Sequence, residues 1–121
     1  MRCRAWRPFR LGAVAAAGAA VLAAAIPGPA AARTYVVPIR NMAFGSVPAD
    51  LRVGDTIEWV NEDIFRHTVT ATDKSFDLDL APKAHATITI GKPGPIGIYC
   101  RYHPGMKTRI VARPARPRGG R

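Results

Sequence analysis

Cys100, His103 and Met106 stand at i, i+3 and i+6 in the stretch Gly97-Ile98-Tyr99-Cys100-Arg101-Tyr102-His103-Pro104-Gly105-Met106. They offer a thiol, an imidazole and a thioether within seven residues. Those are soft or borderline donors, and together they suit copper cycling between Cu(I) and Cu(II). That ion favours one thiolate and two imidazoles in a trigonal set, with a weak axial thioether. The stretch supplies three of the four groups, so one more histidine and a rigid frame must come from elsewhere. Pro104 fixes φ and Gly105 permits positive φ, so the turn is expected to fold tightly round a common centre.

A lone buried cysteine is more often a small hydrophobe than a ligand; His103 and Met106 at this spacing change that reading. Structural zinc wants four Cys or His ligands, for which a thioether is a poor substitute. A c-type haem wants C-x-x-C-H, which is absent. A Cys/His hydrolase needs a cleft and oxyanion donors, and no stretch suggests either, so the chain is not expected to be an enzyme.

The chain has three histidines. His85 lies mid-strand in phase with Thr87 and Thr89 and reads as a solvated surface residue. His67 opens a strand directly after a loop. It shares one end of the fold with Cys100 if the two strands lie side by side in the same direction. His67 is therefore the expected fourth ligand.

The head of the chain carries Arg2, Arg4, Arg7 and Arg10 without an acid. Leu11 to Ile26 is uncharged, Pro27-Gly28-Pro29 breaks the run, and Ala30-Ala31-Ala32 follows. A basic head, a short apolar run and an A-x-A site describe a secretory signal peptide, residues 1–32. The alternative is an uncleaved anchor, but the run falls short of the roughly 20 residues a spanning helix needs. The mature chain is expected in the periplasm or outside the cell, as a monomer without stable membrane insertion. It would contain 89 residues, enough for one small core. Cys3 leaves with the leader, so Cys100 cannot form an internal disulfide and reads as a free thiol or a ligand.

The net charge of +10 falls to +6 once the four leader arginines are removed. Arg116, Arg118 and Arg121 hold half of that in a Pro/Arg/Gly tail, residues 114–121, which has little to bury and is expected to be disordered. The domain proper, residues 33–113, keeps a mild positive bias that favours an acidic partner. No basic run interleaved with aromatics suggests nucleic acid.

Strand signals dominate after residue 33, with turns marked by Gly, Pro and Asp. Thr56-Ile57-Glu58-Trp59-Val60-Asn61 alternates, with Ile57 and Trp59 on one face. Asn61 can close the following loop through its side chain. Thr34–Ile39, with Pro38 suggesting an edge, His67–Thr72, Phe76–Leu80, Ala84–Ile90, Ile96–Cys100 and Lys107–Ala112 complete the pattern. About seven short strands with turns every 8–12 residues predict an all-β, Greek-key β-sandwich. Met42 is expected in the core, with Phe44, Ile98 and Phe65 as the apolar shell of the site.

Residues 34–112 resemble the cupredoxins, small blue copper proteins. Met42-Ala43-Phe44, Pro48, Leu51-Arg52-Val53-Gly54-Asp55-Thr56-Ile57-Glu58-Trp59-Val60-Asn61 and His67-Thr68-Val69 look like their N-terminal half. Tyr99-Cys100-Arg101-Tyr102-His103-Pro104-Gly105-Met106 looks like their ligand loop, and its shortness is similar to that of amicyanins rather than plastocyanins or pseudoazurins. The resemblance implies a cupredoxin-like fold and one copper ion held by His67, Cys100 and His103, with Met106 as weak axial ligand. It also implies that Thr68 ties the two ligand loops together. Gly105 departs from the bulky apolar residue of amicyanins, and Arg101 places a positive charge where a small or neutral residue is usual.

The function implied is single-electron transport between a redox protein donor and acceptor. Its rival is copper binding or delivery without an electron-carrier role.

Overall fold

The alternation in the sequence becomes two facing sheets. The computed structural model describes residues 31–118 continuously, together with residues 12, 13, 18, 20 and 23–26. The expected leader lies largely outside the described residues. No helix among them is long and apolar enough to cross a membrane.

Eight strands follow in chain order: β1 Thr34–Arg40, β2 Ala43–Phe44, β3 Thr56–Asn61, β4 His67–Ala71, β5 Asp77–Leu80, β6 His85–Thr89, β7 Gly94–Tyr99 and β8 Lys107–Ala112. One sheet has the order β2-β1-β3-β6 and the other β5-β4-β7-β8. The extra strand is the two-residue β2, which pairs with the end of β1. Leu51-Arg52-Val53 forms no strand; Arg52 makes only an isolated bridge to Arg113.

In β3 the inward positions Ile57 and Trp59 are fully buried. They meet Val37, Ile39, Leu51, Val69, Leu80, Ile98 and Ile110 between the sheets. Burying side chains of this size stabilises by about 1.5–3 kcal/mol each, before the entropy of ordering them is subtracted. Phe44 packs edge-on to Trp59, with ring centroids 5.7 Å apart.

Four expectations are corrected. First, β4 and β7 run antiparallel, with Thr70 opposite Tyr99 and Ala71 opposite Ile98. Antiparallel pairing sets the start of one strand beside the end of the other, and this is what brings His67 and Cys100 to one end. Second, Gly105 does not use positive φ; among the described residues the glycines that do are Gly54 and Gly94. Third, Met42 is 39% exposed rather than core, because it occupies the left-handed region at φ 60° in the tight β1–β2 turn. Fourth, Arg116, within the tail expected to be disordered, is anchored to the sandwich: its guanidinium lies 2.6 Å from the buried Asp55 carboxylate.

Candidate metal centre

At one end of the sandwich His67, Cys100 and His103 bring their donor atoms together. These atoms lie within 4.8 Å of one another. The two imidazoles face each other through Nδ1, at 3.1 Å. The Cys100 Sγ is 3.4 Å from Nδ1 of His103 and 3.9 Å from Nδ1 of His67. Two protonated nitrogens would repel at 3.1 Å, so at least one Nδ1 carries its lone pair into the centre.

His67 is fully buried at the start of β4. Its outer nitrogen, Nε2, is 2.8 Å from Asp63 Oδ2. Asp63 in turn accepts from the backbone N–H of Asn41 at 2.8 Å and of Met42 at 3.0 Å. Asn41 and Met42 both have positive φ, 51° and 60°, which aims two successive N–H groups at the same carboxylate. Burial by itself would raise the Asp63 carboxyl, but the bonds from Met42, His67 and Asn41 hold it below its ordinary range. The result is a fixed anion behind the ligand ring.

Sequence reasoning found Asn61 and missed Asp63. Asn61 closes the loop as expected, accepting from the N–H of Asp63 at 3.0 Å and donating to the carbonyl of Phe65 at 2.7 Å. An acid four residues before His67 was the only available signal, and in loop sequence that spacing carries little meaning.

Cys100 is 2% exposed. Its sulfur accepts from the backbone N–H of Thr68 at 3.3 Å. Its own N–H donates to the carbonyl of Met106 at 3.1 Å, and the N–H of Met106 donates to the carbonyl of His103 at 2.9 Å. These two bonds close the loop and bury Met106 beside Cys100. The turn closes by backbone bonding, with no left-handed residue among 101–106.

Thr68 joins the two ligand segments: its Oγ1 accepts from the N–H of Arg101 at 2.8 Å. Thr70 Oγ1 lies 2.9 Å from Thr68 Oγ1 and 2.7 Å from Asp77 Oδ1, extending the tie to β5. The charge of Arg101 is met by Asp77 at 3.2 Å. Tyr102 donates to Asp79 at 3.0 Å.

The remaining expectations about side chains divide. His85 stands apart, exposed on β6 and 2.8 Å from Glu58 Oε1. Ile98 is buried and Phe44 half-buried, but Phe65 is half exposed and shields little.

No family model matches the chain. A curated amicyanin of Paracoccus versutus is 27% identical over 97 residues, spanning 75% of this chain and 70% of that protein. Solved structures of mutant amicyanins superpose on the sandwich. An oxidized form has a TM-score of 0.58 at 22% identity, covering 65% of this chain and 81% of its own. A reduced Cu(I) form at pH 4 has a TM-score of 0.57 at 24% identity, covering 66% and 82%. The fold is that of a cupredoxin. In sequence and in fold the chain is similar to amicyanins.

Proposed function

We propose that this chain is an exported type 1 copper protein that carries single electrons between protein partners. One observation carries the reading: two imidazole Nδ1 atoms and one buried thiol sulfur share a centre at the end of a rigid sandwich. The donor set suits copper. Among the described residues the group holds one thiol and two imidazoles and no carboxylate, and a buried thioether residue, Met106, lies in the same loop. His67, Cys100 and His103 would hold the ion, with Met106 as the weak fourth ligand. The likeness to amicyanin, one solved form of which is described as Cu(I), supports the same choice.

Copper, when bound, supplies a one-electron couple. The residues of the chain supply everything around it. Asp63 orients His67 through Nε2 and keeps Nδ1 turned inward. Thr68 donates its N–H to the Cys100 sulfur, stabilising electron density there, while its hydroxyl fixes the loop through Arg101. These bonds set the ligand positions through the backbone, so little needs to move when charge at the centre changes. His103 is only half buried and offers the shortest route from the centre to a partner. Exposed Ile64, Phe65 and Tyr102 lie in the same two loops and give a partner apolar surface to meet. The positive balance of the domain favours an acidic redox partner. Leader removal would place the carrier, as a monomer, in the periplasm or outside the cell.

Voltammetry on the copper-loaded exported protein tests this reading. A reversible one-electron wave with copper retained over repeated cycles is expected. Loss of copper to a chelator on reduction would instead identify a delivery protein.

A further inference from the structure

Residues from both ends of the sandwich, Arg33 and Arg116, converge on one carboxylate. Asp55 has no exposure, yet it accepts three hydrogen bonds. Oδ1 accepts from the backbone N–H of Arg33 at 2.9 Å and from Nη1 of Arg116 at 2.6 Å. Oδ2 accepts from the backbone N–H of Arg52 at 3.0 Å. The carbonyl of Arg33 is held as well, accepting from the N–H of Thr56 at 2.9 Å. Arg33 is therefore fixed on both sides of its α-carbon at the entry to β1. It is also the residue that cleavage after Ala32 would make the first of the chain.

We propose that Asp55 is a docking site for the α-ammonium group created when the leader is removed. This rests on the export reading above. A peptidase hydrolyses the Ala32–Arg33 bond: the hydroxyl of water goes to the Ala32 carbonyl carbon, and the released nitrogen of Arg33 takes up protons to become an ammonium. A neutral amide donor then becomes a cation already seated against a buried anion. The bond from the Arg33 N–H is already assisted by the carboxylate charge; a positive donor adds direct attraction at the same contact, which favours the protonated amine.

The guanidiniums of Arg33, Arg52, Arg113 and Arg116 already outnumber the carboxylates of Asp50 and Asp55, so the docking rests on the direct contact of the ammonium with Asp55, with Asp50 offsetting the neighbouring cations. Asp50 lies 3.4 Å from the Arg33 guanidinium and 3.6 Å from that of Arg116, and 3.1 Å from Arg52. Tyr35 donates to the Asp50 carbonyl at 3.1 Å and closes the cluster. With its ends clasped, the processed domain is more stable than the same domain still joined to its leader.

The test uses the exported protein as the cell processes it. N-terminal sequencing identifies the first residue. An amine-reactive label, read by mass spectrometry, then gives the rate at the α-amine as a function of pH. A free α-amine titrates at about 7.7–8.0. Docking on Asp55 is expected to move the midpoint of the pH–rate profile up by at least about one unit, which slows labelling at neutral pH about tenfold. Urea and Asp55→Asn should each restore the ordinary profile. Slow labelling with an unshifted midpoint means steric cover alone and overturns the proposal, whether or not Asp55→Asn folds. A chain that starts at Arg33 with an ordinary α-amine overturns the docking while leaving export intact. A chain that starts elsewhere overturns the processing reading, and the docking with it.

Discussion

The backbone N–H of Arg101 donates to Thr68 Oγ1 at 2.8 Å, joining residues that lie beside Cys100 and His67 respectively. The same Thr68 gives its N–H to the Cys100 sulfur. One buried residue therefore spans both ligand segments, with its backbone on the donor atom and its side chain on the loop.

Thr68→Val keeps the shape and removes the hydroxyl. It strands the N–H of Arg101 without its acceptor. The bond is part-buried and Arg101 itself is exposed, so water can partly replace the lost acceptor and the cost is that of an ordinary hydrogen bond, about 0.5–1.5 kcal/mol. Urea unfolding of the metal-free protein should show a loss in that range, and the variant should release copper faster. An unchanged unfolding midpoint would show that the tie contributes nothing.

Asp63→Asn replaces the anion behind His67 with a neutral amide of the same shape. Losing an outer partner of a ligating histidine weakens metal binding about 10- to 100-fold. Competition against a chelator should give a drop of that order. The Asn41 and Met42 N–H groups bond to different oxygens of Asp63, so the amide oxygen can keep only one of them and a loss of about 1 kcal/mol in stability should accompany the weaker binding.

Asp55 contributes to acid sensitivity, together with the other carboxyls held low, Asp50, Glu62, Asp63, Asp73 and Asp79. Burial would raise the Asp55 carboxyl, but the bonds from Arg116, Arg33 and Arg52 hold it below the ordinary range. A folded value below the unfolded one of about 3.9 gives stability that is present above pH 4 and lost as pH falls through the folded value. Urea midpoints measured from about pH 7 to about pH 3 should therefore fall on the acid side. Asp55→Asn should start lower and fall less steeply.

Gly45 is needed for closeness rather than for φ. A Cβ there would meet the carbonyl oxygen of Pro38 at 2.8 Å and two atoms of its ring at 3.0 Å. The N–H of Gly45 already donates to that carbonyl at 2.7 Å. The neighbour is backbone and a rigid ring, so it cannot move aside cheaply. Gly45→Ala should cost about 1–3 kcal/mol, as overpacking does, measured by thermal or urea unfolding.

Three ligand-type residues at fixed spacing were legible in the sequence, and so was the histidine that opens a strand. Ile57 and Trp59 announced an inward face. The direction in which β4 passes β7 was not legible, because alternation looks the same read either way. Asp63 was hidden for a different reason: its partners are N–H groups aimed by left-handed backbone at Asn41 and Met42, which are not the glycines that usually signal such turns. Arg116 looked like tail because its partner, Asp55, is 61 residues earlier in the chain.

Addition of Cu(II) to the purified protein tests the central claim most directly. His67, Cys100 and His103 around one centre predict one copper per chain and an intense blue thiolate-to-copper colour. Cys100→Ser or His67→Ala should abolish that colour, and His85→Ala should leave it unchanged. A colourless complex, or a blue one that survives Cys100→Ser, would contradict the account.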